Sequence, residues 1–102
     1  GEVRLTAVSR ASLGIAHALY GEQREAVDYL ECALPVLSDI YGKEHTEIAF
    51  ILTNLGGAQV NLQQAEQAVS VLKQAVEIYE KELGEKNQTY GLSLMNLGNA
   101  YS

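Results

Sequence analysis

The sequence predicts an all-α fold: an α-α superhelix, a solenoid of antiparallel helix pairs with about five helices. Three observations carry this. A Leu-Gly-x-Ala pattern returns at a fixed spacing of 42 residues, as Leu13-Gly14-x-Ala16, Leu55-Gly56-x-Ala58 and Leu97-Gly98-x-Ala100. The segments between keep the same register, with Ala26, Val27, Leu30, Ala33 and Gly42 matched by Ala68, Val69, Leu72, Ala75 and Gly84. Within each period the apolar residues follow helical spacing. A period of this size is the signature of a repeat array, in which each hairpin buries its apolar face only against its neighbours.

The elements follow in order. Ile48, Ile51, Leu52, Leu55, Ala58 and Leu62 obey the i, i+3, i+4, i+7 rule, as do Ala65, Ala68, Val69, Leu72, Ala75, Val76, Tyr79 and Leu83. Helices are expected at about 3–20, 23–41, 46–61, 64–83 and 88–102, giving a single domain: repeat 1 over 3–42, repeat 2 over 45–84 and the first helix of repeat 3 over 88–102. The unmatched half-repeat is expected to come from a longer array. Gly42 and Gly84 stand where a second helix should close, and His45 and Asn87 where the next should be capped. Pro35 falls inside the second helix, where it removes one hydrogen bond and predicts a kink. Gly56 costs its helix about 1 kcal/mol relative to alanine. Close approach of the partner helix is the expected reason, with Gly56 facing the small residues Ala65, Ala68 and Ala75.

Composition narrows the function. With 102 residues and 47% hydrophobic content, one domain can bury a core. A net charge of −6, with only seven scattered Lys and Arg, argues against nucleic acid and favours a basic partner if charge matters at all. No apolar run approaches the roughly 18 residues that span a bilayer, so no membrane association is expected. The lone Cys32 calls for no oxidising compartment, and a cytoplasmic location is the expectation. It is placed on the inner side of its helix, as a buried small hydrophobe. His17 and His45 form no metal-ligand motif, Gly56 and Gly57 no phosphate loop, and no catalytic constellation is present, so neither enzyme activity nor cofactor or metal is expected. Glu77, Glu80, Glu82 and Glu85 read as a solvated face.

The order Leu55, Gly56, Ala58, Ala68, Leu72, Ala75, echoed by Leu13, Gly14, Ala16, Ala26, Leu30 and Ala33, resembles the tetratricopeptide repeat. The usual unit is about 34 residues, and this longer form, with the phrases YGKEHTEIAFILTNLG and LGEKNQTYGLSLMNLG, resembles kinesin light chain-like and nephrocystin-like repeats. Arg10, Leu52 and Leu94 stand where the shorter form carries an aromatic residue.

The resemblance implies a non-enzymatic scaffold whose first helices line a concave wall that docks a protein or an extended peptide. Inward positions are expected at Val8, Ala11, Ser12, Ile15 and Leu19, then at Phe50, Thr53, Asn54, Gly57 and Asn61, then at Leu92, Met95, Asn96 and Asn99. The last two groups form the candidate peptide site. Asn54, Asn96, Asn99 and Phe50 are its chief expected contacts, because a carboxamide can pair with a peptide backbone. Ala11, Thr53 and Met95 occupy the places where a carboxylate-gripping subgroup carries Lys and Arg, which implies no carboxylate clamp. The alternative is a structural or self-associating segment. There the terminal helix would pair Leu94, Leu97, Ala100 and Tyr101 with another copy, as a homodimer, or with flanking repeats.

Overall fold

A computed structural model describes residues 2–82 and 88–101. Gly84, Glu85 and Asn87, named above as a helix stop, part of the acidic face and a cap, lie outside the described residues. Five helices follow in order: α1 (Glu2–Leu19), α2 (Gln23–Tyr41), α3 (Thr46–Asn61), α4 (Ala65–Glu82) and α5 (Gln88–Tyr101). They lie within two residues of the expected bounds. Helix α2 runs unbroken through the exposed Pro35.

Sequence neighbours pack as hairpins, α1 on α2 and α3 on α4, and α3 also touches both α1 and α5. Among the described residues α2 and α4 make no close backbone contact with each other. The first helices therefore form an inner row in mutual contact while the second helices splay, which is the curvature of a tetratricopeptide-like superhelix.

The turns repeat as faithfully as the helices. At the end of α1, Gly21 N–H donates to Ala18 O and Glu22 N–H to His17 O, at 3.1 and 2.8 Å. One period later Gln63 N–H donates to Val60 O and Gln64 N–H to Gln59 O, at 3.0 and 2.8 Å. Both turns satisfy the orphan carbonyls of the helix end and need a left-handed residue, Gly21 at φ +82° and Gln63 at φ +63°. Glycine enters that region freely, whereas a side chain costs about 1–2 kcal/mol. Gln63→Gly is accordingly expected to raise stability by a fraction of that, under about 1 kcal/mol, since glycine also loosens the unfolded chain. Thermal unfolding checks it, and a lower melting temperature would contradict the strain. Gly42 closes α2 as expected, with a positive φ of +94°, and His45 caps α3 by accepting from Glu47 N–H at 3.0 Å through Nδ1. Exposed Lys81 bonds Glu44 at 2.6 Å, a contact that raises the lysine pKa through the hydrogen bond and the opposite charge.

The core gathers Ala26, Leu30, Ala33 and Leu37 of α2, Ile48, Ala49, Ile51, Leu52, Leu55 and Ala58 of α3, and Ala75, Ile78 and Tyr79 of α4. The recurring glycine has a different partner from the one expected. A Cβ on Gly56 would collide with the Leu72 side chain, coming inside contact distance of Cγ and within 2.6 Å of Cδ2 and 3.0 Å of Cδ1. At Gly14 the same atom would meet Leu30 Cγ at 2.8 Å. The glycine is a notch for a leucine. Ala68 and Ala75 are buried on either side of Leu72 and let the helix approach, whereas Ala65 is exposed and takes no part. Cys32 is exposed too: Leu30 and Ala33 hold the core face of α2, and a residue two after Leu30 points about 200° away from it.

Candidate functional site

The inner row is a wall of three helices, and one depression of about 200 Å³ lies across it. Its lining includes Leu19 from α1, Thr53, Asn54, Gly57 and Asn61 from α3, and Leu92, Asn96 and Asn99 from α5. Successive positions such as Asn54, Gly57 and Asn61 lie three and four apart, so one helix face carries them. Seven of the nine candidate residues thus meet in one place. Phe50 and Met95 do not line it, although both are exposed. From repeat 1 only Leu19 among the expected positions reaches it, while Ala11 is buried in the core.

Burial separates the roles of these residues. Thr53 is 1% exposed and forms the floor of the depression, not a free contact. Its hydroxyl donates to Ala49 O at 2.8 Å and lies 2.7 Å from the Ser93 hydroxyl, which is also buried. A threonine has one hydroxyl proton, so Ser93 donates to Thr53 and the pair joins α3 to α5. Gly57 leaves room for Asn96, whose Nδ2 would sit 3.3 Å from a Cβ there. Asn54 donates one amide proton to Phe50 O at 2.9 Å, leaving a second N–H and the carbonyl available. Asn96 is half-buried with no side-chain hydrogen bond among the described residues, and Asn61 and Asn99 are exposed.

Four lining residues, Ala18, Gln23, Ala58 and Val60, escaped the sequence reading of the site, and Gln23 is the polar one. Gln23, the first residue of α2, extends Nε2 toward Ala18 O at 3.4 Å, and its Oε1 is buried without a hydrogen-bond partner among the described residues. No repeat signal could have marked it, because the residue one period later is Ala65.

The terminal helix is less open than expected. Ala100 is buried against Ala68 and Leu72, and Leu97 packs on the same cluster, so half of the face proposed for self-pairing is already used on α4. Leu94 and Tyr101 remain exposed, the latter with Lys73 Nζ 5.9 Å from its ring centroid.

Hairpins with a curved inner row and a carboxamide-lined depression define a helical repeat solenoid, a class that presents surfaces to other proteins. The tetratricopeptide repeat family model matches residues 51–88, which span most of α3, all of α4 and the first residue of α5. Over those residues the chain is similar to the tetratricopeptide repeat, which supports a tetratricopeptide repeat protein. No curated protein matches it. Repeats of this family are non-enzymatic and generally mediate protein–protein interaction. No described helix is long and apolar enough to cross a membrane.

Proposed function

We propose that the depression across α1, α3 and α5 docks an extended segment of a partner protein. The observation that carries the reading is the convergence of Gln23, Asn54, Asn61, Asn96 and Asn99 around the apolar Leu19 and Leu92. Carboxamides offer donors and acceptors together, so they match the alternating N–H and C=O groups of an extended backbone while the leucines hold its side chains. The 42-residue period, with an asparagine before two of the Leu-Gly pairs, supports a kinesin light chain-like subgroup.

A peptide-library screen supplies the ligand. Asn54→Ala combined with Asn96→Ala is then expected to weaken that peptide about tenfold, the loss of one or two hydrogen bonds, with the melting temperature held. Calorimetric titration of the double variant reads the effect, and undiminished affinity would remove the inner wall as the docking surface.

A further inference from the structure

The splay of α2 and α4 opens a second groove on the opposite side of the molecule, about 520 Å³ in volume and floored by α3. Leu34 of α2, Leu55 of α3 and Val71 of α4 form its apolar part. Exposed Glu31 and Glu66 stand at the two sides, on α2 and α4, and neither forms an ion pair among the described residues. Gln59 also lines the groove. It is 3% exposed, and its Oε1 is buried with no hydrogen-bond partner among the described residues.

The first repeat shows how unusual that is. At the position equivalent to Gln59, His17 stacks on Tyr29 with ring centroids 5.3 Å apart, and its Nδ1 lies 3.2 Å from Glu22 Oε1. In the second repeat Val71 replaces the tyrosine and Gln64 the glutamate, so the ring and the carboxylate are both gone. What remains is a buried acceptor beside apolar surface and two carboxylates.

We infer that this outer groove receives an arginine side chain of a partner protein. Its methylene stem would lie over Leu34 and Val71, and its guanidinium would donate to Glu31 or Glu66 and, as the Gln59 amide turns outward into the groove, to Gln59 Oε1. All three protein groups are acceptors, and the guanidinium supplies five donors in a planar fork and no acceptor. The net charge of −6 adds attraction toward a basic partner. This site lies apart from the inner wall and stands or falls independently of it.

NMR of the whole chain, titrated with acetyl-Leu-Arg-Leu-amide, tests the inference. The Gln59 side-chain amide and the Leu34 and Val71 methyls should shift saturably in the millimolar range. The same peptide with citrulline, equal in shape but neutral, should bind at least about tenfold more weakly, as should the arginine peptide to Glu31→Gln/Glu66→Gln. Gln59→Met removes the acceptor at similar volume and should melt no lower than the parent chain while losing the shifts. Equal binding of the citrulline peptide overturns the inference. So do shifts confined to Asn54, Asn96 and Asn99, full binding by Gln59→Met, or the absence of any saturable shift.

Discussion

Gly56→Ala is expected to lower the melting temperature by roughly 5–10 °C, and the same substitution 42 residues later, Gly98→Ala, to raise it by a few degrees. Two opposed terms decide the sign. Alanine is better than glycine inside a helix by about 1 kcal/mol. At Gly56 the added methyl meets three atoms of Leu72, which is fully buried and held by Ala68, Ala100 and Leu97. Overpacking of this kind costs about 1–3 kcal/mol, and with Leu72 unable to swing into solvent the upper part of that range applies, for a net loss of about 1–2 kcal/mol. At Gly98 a Cβ meets no atom within 4 Å, so only the helix term remains. Leu72→Ala alone should cost about 2–5 kcal/mol. In the Gly56→Ala/Leu72→Ala double variant the new methyl enters the vacated space, so the loss should be smaller than the two single losses added. Additive losses, or a stabilising Gly56→Ala, would show that the glycine is not a notch for this leucine.

The second large effect belongs to the floor of the inner depression. Thr53→Val keeps the shape of the side chain and removes the hydroxyl that joins Ser93 to α3, so it is expected to cost about 1–3 kcal/mol. The loss should concentrate in α5. Its amides should exchange faster relative to those of α4, because the hydroxyl pair ties α3 to α5. Adding Ser93→Ala should recover part of the loss, because two matched apolar groups leave no donor aimed at a missing acceptor. If the double variant is as unstable as the two single effects summed, the hydroxyls do not act as a pair.

Much of the fold was legible because the repeat writes it twice. Ala26, Leu30 and Ala33 recur as Ala68, Leu72 and Ala75, and all six are buried. The cap at His45 was legible for a similar reason, since the chain must start a new helix just after Gly42. The site was legible in part. Asn54 and Asn61 share a face of α3 and Asn96 and Asn99 a face of α5, as spacing alone defines, and the four meet in one depression. Thr53 has the same spacing yet is sealed, because α5 sets Ser93 across it, and no periodicity within α3 could report that. Cys32 was misplaced by assigning it to the core stripe, which Leu30 and Ala33 already fill. Leu97 and Ala100 looked unpartnered because the repeat pattern pairs a first helix with the second helix that follows it, but α4 covers them from the preceding repeat.

The sequence by itself determined the number of helices, their order and the small residues along their seams, since these depend on side-chain size and spacing along one chain. Only the tertiary structure decided that Gly14 and Gly56 each hold a leucine, that Thr53 is a floor and not a contact, and that Gln23 and Gln59 bury carbonyl oxygens with no hydrogen-bond partner among the described residues. Those outcomes depend on distances between atoms of different helices. Such distances follow from how the hairpins cross, and a recurring pattern of residue types leaves that angle open.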